Sequence, residues 1–472
     1  MGIQDAAHAT VPGSPTGGVV KCFTGSATPK NMRLIPDEHS APGHRDIFRL
    51  ITGETLSGHC RSNPVEINGC ARHVQDDCDT MLSDFLVHRL VIASISEIKG
   101  MRKLLASALA LVMIAALCGY GFWTQQRPEG HYLSDLRIEL ALNHGVPGEQ
   151  GNLLGVEPLL YPSDYQNLQR LHRKLSAYLQ QARAQGLINP RTVVVLPEHI
   201  GTWLWARGEK NELYQVTRSR EAEQWLELSN PLRYGLAILR ASGDDRRADA
   251  HLRMKAQQMA RDYQQLFGSL AKEFGVTLVA GSIVLPDPYV EQGVLHAGGG
   301  PLFNSSLVFA GDGSPLGQPQ RQQFPDSQVR RYIHDGRKQP LQVVQTPAGR
   351  LGVLIGSDSW YPENHQQLAN QQVQLIANPV FLSGKDSWKA PWRGNRHQGA
   401  AAELALQRGE VSEKTAWQRL TEAAGEGVNS MSVFMRGQFW DQGSDGQGFA
   451  HQSGELLTGP PSQGARLLNV WL

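Results

Sequence analysis

One apolar segment in the first third of the chain constrains its architecture more than any other feature. The segment runs from Leu104 to Trp123 and reads LLASALALVMIAALCGYGFW, with no charged residue. About 20 consecutive apolar residues are enough for a helix to cross the hydrocarbon core of a bilayer. We therefore expect residues 101–123 to form a transmembrane helix, with residues 104–123 in the membrane.

The flanking charges predict how this helix is oriented. Arg102 and Lys103 directly precede the apolar segment, and basic residues favour the cytoplasmic side of a membrane helix. Everything after Trp123 should then lie on the periplasmic or extracellular side. No small-x-small cleavage site closes the segment, so we expect an uncleaved, single-pass signal anchor.

Residues 1–100 have an irregular composition that indicates no domain. Their cysteines form no C-x-x-C pair of the kind that binds zinc: Cys22, Cys60, Cys70 and Cys78. Two interpretations remain for this extension. It is either a poorly ordered cytoplasmic tail or upstream sequence included by a wrongly chosen start, and the second is favoured because Met101-Arg102-Lys103 makes a typical start for a signal anchor.

Cysteine and charge content limit the chemistry of the remaining chain. All five cysteines lie at or before Cys118, so the segment 124–472 has no thiol nucleophile. A domain without cysteine suits an oxidising compartment. Lysine and arginine total 45 against 44 aspartate and glutamate, so bulk charge gives no reason to expect a nucleic acid partner.

Residues 130–472 alternate apolar strand patterns with helical patterns, which predicts one α/β layered domain. A helix is expected from about Leu168, capped by Ser163, and a second from about 248 to 274. Strands are expected at 192–196, 275–283, 305–309, 351–355, 373–377 and 431–435.

Six segments of this domain carry a family resemblance, and they occur in the family's order. The central one reads GVLIGSDSWYPE over residues 352–363. It resembles the nucleophile segment G-V-x-I-C-x-D-x-x-(F/Y)-P-E of the carbon–nitrogen hydrolase (nitrilase) family. The others are VLPE at 195–198, AGS at 280–282, FNSS followed by GDG at 303–313, TPAGRLG at 346–352 and ANP at 377–379. The resemblance implies the family's four-layer α-β-β-α sandwich and frequent pairing of subunits, so we expect a homodimer. We expect no cofactor and no metal.

The same resemblance implies roles for individual residues. The family's cysteine attacks an amide or nitrile carbon, a glutamate acts as general base, and a lysine stabilises the oxyanion. Glu198 matches the glutamate, and Gly356 stands where the family has its cysteine. Arg321 is the only cation at the expected place of the lysine. Arginine keeps the charge but is bulkier and planar, so the change is not conservative.

Several other residues are candidates for the site. Ser357 is a candidate substitute nucleophile, although it should project in a different direction from residue 356. A water activated by Glu198 is a second substitute. Trp203, Trp360 and Phe381 are expected to line a substrate pocket. His199 should point to the other side of its strand, and no histidine set has metal-ligand spacing.

Three functions remain open on the sequence. The preferred one is a membrane-anchored, exported homologue that has lost catalysis (a pseudoenzyme) and binds a small amide- or nitrile-like ligand or a partner. The alternative is an active hydrolase of carbon–nitrogen bonds that uses Glu198 with water or Ser357. The third is a structural module that uses the domain as an interaction surface. Whether the chain is an enzyme is therefore undecided at this level.

Overall fold

The computed structural model describes residues 67–130, 132–326, 329–394, 404–422 and 427–472, with side chains from residue 83 onward. The α-helices within these ranges are α1 (Ile67–Gln125), α2 (Leu168–Ala184), α3 (Asn211–Gln215), α4 (Ser219–Ser229), α5 (Pro231–Arg240), α6 (Arg246–Phe274), α7 (Pro362–Asn370) and α8 (Glu413–Leu420). Short 3₁₀ turns occupy Pro162–Tyr165, Thr202–Ala206, Gly356–Trp360 and Ser387–Lys389.

The strands are short and most are fully buried. In chain order they are β1 (Ile138–His144), β2 (Asn152–Glu157), β3 (Leu159–Leu160), β4 (Thr192–Val195), β5 (Thr277–Val279), β6 (Ile283–Pro286), β7 (Tyr289–Glu291), β8 (Val294–His296), β9 (Leu302–Phe309), β10 (Pro315–Arg321), β11 (Val343–Thr346), β12 (Gly349–Val353), β13 (Leu375–Val380), β14 (Asn429–Phe434), β15 (Arg436–Phe439), β16 (Gln442–Ser444), β17 (Phe449–Gln452), β18 (Glu455–Thr458) and β19 (Ala465–Trp471).

Helix α1 begins well before the predicted anchor at 101–123. It is 59 residues long, or about 88 Å at 1.5 Å per residue. It ends at Gln125, because the residue before Pro128 is disfavoured in a helical conformation. Its part from Ser83 to Gln125 is long and apolar enough to cross a membrane, by length and composition, and its apolar 18-residue window has no buried residue.

The chain divides into two compact units, Met1–Lys103 and Leu104–Leu472. The division expected from the sequence, into an extension at 1–100, an anchor at 101–123 and a domain at 130–472, stays a prediction. The first 66 residues of the N-terminal extension lie outside the described residues.

Two mixed sheets form the centre of the second unit. The first has the order β1-β19-β2-β4-β5-β9-β10, and β6 also pairs with β9. The second has the order β11-β12-β13-β14-β17-β18. Strands β2, β4 and β5 are parallel in the first sheet, and β12, β13 and β14 are parallel in the second. A small sheet β16-β15-β3 and the hairpin β7-β8 complete the described strands.

The inner faces of the two sheets pack against each other. Val193 and Val195 of the first sheet lie in one buried cluster with Val353, Met431 and Val433 of the second. Each buried aliphatic side chain contributes roughly 1.5–3 kcal/mol. On the outer face of the first sheet lie α2 and α6, and α7 packs through Leu368 on the outer face of the second. Parallel neighbours require such crossover helices.

Two local predictions were wrong. Helix α2 is capped by Asn167, whose side chain accepts bonds from the N–H groups of Gln169 and Arg170, because Ser163 lies in the preceding 3₁₀ turn. The predicted strand 275–283 is broken into β5 and β6 at Gly281, which has φ +62°. A Cβ at Gly281 would collide with the carbonyl of Pro197, so glycine is required for this close approach.

Candidate functional site

The candidate site lies where parallel strands of both sheets end. Glu198 follows β4, Gly356 follows β12 and Phe381 follows β13, while Gln322 follows the antiparallel strand β10. The carboxyl ends of parallel strands are a usual place for ligand sites in α/β folds. These residues line one cavity with a volume of about 1280 Å³.

Glu198 is buried and held by three donors. The side-chain amide of Asn304 donates to Oε1 at 2.8 Å, and the backbone N–H of Phe381 donates to Oε2 at 2.9 Å. Gln322 Nε2 lies 3.4 Å from Oε1 and donates more weakly. The carboxyl group is therefore fixed at one end of the cavity.

The protonation state of Glu198 follows from its surroundings. Burial in the protein raises the pKa of Glu198 to about 8, against an ordinary value of 4.5. Among the described residues, no lysine or arginine forms an ion pair with it. His199 Nε2 is 3.9 Å from Oε1, but burial lowers the pKa of His199 to about 4, so the imidazole is neutral. Burial thus favours the neutral carboxylic acid form of Glu198 near pH 7.

Gly356 faces this carboxyl group directly. It opens the 3₁₀ turn Gly356–Trp360 with φ +55°, a left-handed conformation that costs a side-chain-bearing residue about 1–2 kcal/mol. An added Cβ would lie 2.9 Å from Oε2 and 3.0 Å from Oε1 of Glu198, and 3.0 Å from Gln322 Nε2. Residue 356 thus points at the glutamate, as the resemblance implies for a nucleophile, and a side chain there would crowd the ends of the Glu198 and Gln322 side chains.

Asp358 fixes the neighbouring segment. Its buried carboxyl group accepts the backbone N–H groups of Gln323 and Phe324 at 2.8 to 3.0 Å, and burial raises the pKa of Asp358 to about 7. This clamp keeps Gln322 beside the glutamate. Ser357 lines the cavity, but its hydroxyl donates to the carbonyl of Phe324 at 3.2 Å.

The prediction that Arg321 supplies the cation at the site was wrong. Its guanidinium donates to Asp287 at 2.6 Å and lies 4.0 Å from the centre of the Phe303 ring. Successive side chains along a strand point to opposite faces, so the next residue, Gln322, takes the place instead. Gln322 donates to the carbonyl of Ile355 at 3.1 Å.

The predicted aromatic residues all border the cavity. Trp203, Trp360 and Phe381 line it, and Trp203 stacks on Phe439 with ring centres 4.7 Å apart. The indole N–H groups of Trp203 and Trp360 are buried, without a hydrogen-bond partner among the described residues. Buried donors of this kind are uncommon and favour an acceptor group at the site.

His199 is a site residue that sequence reasoning placed elsewhere. Its φ of +62° interrupts the strand alternation on which the prediction relied. The ring consequently lines the cavity and contacts Phe381 edge-on, with 5.7 Å between ring centres. Histidine is among the residues that tolerate this conformation. In the described part of the chain, no group of three acidic, histidine or cysteine residues could hold a metal.

Comparison with known proteins gives the class. The family model described as carbon-nitrogen hydrolase matches residues 160–406, just over half of the chain, and the chain belongs to this family.

Individual relatives are distant. N-carbamoylputrescine amidases of Solanum lycopersicum and Arabidopsis thaliana are each 28% identical over 144 residues, which cover 28% of this chain and 43% of the relative. An aliphatic nitrilase of Sinorhizobium fredii is 30% identical over 105 residues, covering 22% of this chain and 33% of the nitrilase. The chain therefore spans less than half the length of the curated relatives it matches.

Solved structures are similar at low identity. An amidase from Nesterenkonia sp. is 15% identical, with a TM-score of 0.40, and the match covers 69% of this chain and 92% of the amidase chain. A carbon-nitrogen hydrolase from Helicobacter pylori G27 is also 15% identical, with a TM-score of 0.41, covering 67% of this chain and 88% of its own.

Proposed function

We propose that this protein is a catalytically degenerate carbon–nitrogen hydrolase homologue that binds a small amide- or nitrile-like ligand beside Glu198. The observation that carries the proposal is the contact between Glu198 and Gly356. The carboxyl group lies within 3.0 Å of the position a Cβ would occupy. The site therefore lacks a nucleophile, and a side chain at residue 356 would have to displace the ends of the Glu198 and Gln322 side chains by a few tenths of an ångström.

The general base and the oxyanion-stabilising group are also altered in ways that disfavour hydrolysis. A general base must be ionised to accept a proton, yet the raised pKa of Glu198 leaves it neutral at pH 7. An oxyanion needs a preorganised cation or donors, and the amide of Gln322 replaces the expected cation. The loss of the cation fits the loss of the nucleophile. A lysine beside Glu198 would favour the charged form of the carboxyl group, which only a catalytic site needs.

A neutral site of this composition suits an uncharged planar amide. Protonated Glu198 has one O–H to donate, and Gln322 has both a donor and an acceptor group. Trp203 and Phe381 supply apolar walls. An acceptor atom on the ligand would satisfy the buried indole N–H of Trp203 or of Trp360. Concave sites with mostly aromatic walls and few polar groups are typical of small-ligand binding.

The alternative function, an active hydrolase, has weaker support. Ser357 donates its hydroxyl to a backbone carbonyl and not to Glu198. Activation of a water by Glu198 requires the carboxylate form, which becomes the main form only above about pH 8. This alternative consequently predicts hydrolysis that rises steeply at alkaline pH.

The cellular setting is part of the same proposal. We infer that α1 anchors the protein as a single-pass helix, with the globular unit on the periplasmic or extracellular side. The basic pair Arg102 and Lys103 and the absence of cysteine from 124–472 support this. The packing of helices outside both sheets supports the four-layer sandwich, and pairing into a homodimer remains an expectation from the family.

The decisive experiment restores the missing groups. Full-length wild type, Gly356→Cys and Gly356→Cys/Gln322→Lys are assayed for ammonia or amine release from a panel of amides and nitriles. We expect wild type and the single variant to be inactive. The double variant should turn over at least one amide, because it regains a thiol and a cation that lowers the pKa of Glu198.

A matched control separates the effect of the thiol from the effect of an added Cβ at residue 356. Gly356→Ala/Gln322→Lys adds the same Cβ and the same cation without a nucleophile, and should stay inactive. Wild-type turnover that Glu198→Gln abolishes would overturn the proposal and establish the hydrolase alternative.

A further inference from the structure

Helix α5 presents an apolar face to its surroundings. Leu232, Leu236 and Leu239 recur at helical spacing and are 82%, 62% and 76% exposed. The opposite face is the packed one, with Ala237 buried and Tyr234 stacked on His251 of α6. A surface helix normally points its polar side outward, so this exposed stripe requires an apolar partner.

This helix lies beside the C-terminal end of α1. The hydroxyl of Tyr120 donates to the carbonyl of Leu228, just ahead of α5, and the Trp123 and Trp225 rings are 6.3 Å apart. Leu117 and Leu232 line one hollow of the surface. Leu117 precedes Trp123 by six residues, which is about 9 Å along a helix axis. The bond to Leu228 and the shared hollow therefore place the start of α5 near the last apolar turns of α1.

The end of α1 is held firmly on the globular unit. Lys210 Nζ donates to the carbonyls of Trp123 and Gln126 at 2.6 and 2.8 Å, and it lies 3.9 Å from the centre of the Trp123 ring. Arg127 pairs with the buried Glu209 at 2.8 Å. A rigid junction of this kind fixes which surface of the domain faces a bilayer that α1 enters.

We propose that α5 is a second membrane contact, whose leucine face enters the same leaflet as the end of α1. Arg233 and Arg240 are exposed on α5 and would meet anionic lipid headgroups, as in helices that lie in the membrane interface. The proposal rests on α1 spanning the membrane. It also places the cavity near the lipid surface, because α4 and α6, which contribute Leu226 and His251 to its wall, contact α5.

The test measures the membrane depth of single sites in the full chain. A fluorescent NBD group is attached to Leu236→Cys in a background whose native cysteines are changed to serine. The protein is reconstituted into phosphatidylcholine/phosphatidylglycerol vesicles that contain a lipid spin-labelled near its headgroup, which quenches NBD on contact. The controls are Leu117→Cys on α1 and Val146→Cys, which is exposed after β1. The replaced cysteines are Cys22, Cys60, Cys70, Cys78 and Cys118.

Each outcome decides the proposal. Support requires quenching at Leu236→Cys that is several-fold stronger than at Val146→Cys, with Leu117→Cys also quenched. Quenching at Leu117→Cys but not at Leu236→Cys refutes the second contact and leaves the anchor standing. Lack of quenching at Leu117→Cys refutes the anchor and the contact together. Disulfide pairing of unlabelled Leu236→Cys between copies, without lipid quenching, would assign the leucine face to self-association instead.

Discussion

Replacing Glu198 with glutamine should make the free energy of unfolding less dependent on pH. The pKa of Glu198 is about 8 in the folded protein and near its ordinary 4.5 in the unfolded chain. Between these values the folded state holds a proton that the unfolded state has lost. The stabilisation is thus full below about pH 4.5 and is lost as the pH rises towards 8. The loss is about 1.4 kcal/mol per pH unit within this window.

The size of this pH effect is the difference between wild type and Glu198→Gln in their free energies of unfolding. Between pH 5.5 and 7.5 wild type should lose about 3 kcal/mol more than Glu198→Gln, which carries no titrating proton at this position. Urea unfolding of the full-length protein in micelles, followed by circular dichroism at three pH values, gives both slopes. Glu455→Gln, at an exposed carboxyl group, is the control and should behave like wild type. Equal slopes for wild type and Glu198→Gln would refute the view that Glu198 is protonated.

Four further substitutions, one of them also combined with a second change, test other parts of the structure. Arg321→Ala should leave amide binding unchanged, because the Arg321 guanidinium bonds to a neighbouring aspartate. Gln322→Ala should weaken amide binding by about tenfold, because a hydrogen bond to the ligand is lost. Calorimetric Kd values for the two variants check these expectations. Asp358→Asn should destabilise the protein by about 1–3 kcal/mol in urea unfolding, because two backbone N–H groups lose a carboxylate acceptor. Arg466→Met should cost about 3–5 kcal/mol by stranding the buried Glu157 carboxylate, and adding Glu157→Gln should recover much of this loss.

The positions of several strands were predictable from the sequence where an apolar run ends at a proline, a glycine or a polar turn. The run 192–196 ends at Pro197 and became β4, and the segments around 305–309 and 431–435 became parts of β9 and β14. The run 275–283 gave no sign of its break, because a positive φ at Gly281 depends on its contact with Pro197. Likewise, α1 begins at Ile67, where the sequence is too polar to indicate a membrane helix.

The site was predicted in outline and missed in detail for a geometric reason. Glu198 and Gly356 both follow parallel strands, so their approach to each other was expected from the family pattern. The prediction of Arg321 was off by one residue, and in a strand one residue reverses the direction of a side chain. Arg321 is the cation of that segment, but the backbone directs Gln322 into the cavity.

Binding without turnover is tested most directly in a single titration. Full-length wild type is titrated with primary amides while its tryptophan fluorescence and the ammonia released are recorded from the same sample; Trp203 and Trp360 on the cavity wall should report an occupied site. We predict a saturable change in fluorescence with no ammonia formed, and loss of that change in Glu198→Ala. Ammonia release by wild type that disappears in Glu198→Gln would contradict the proposed loss of catalysis.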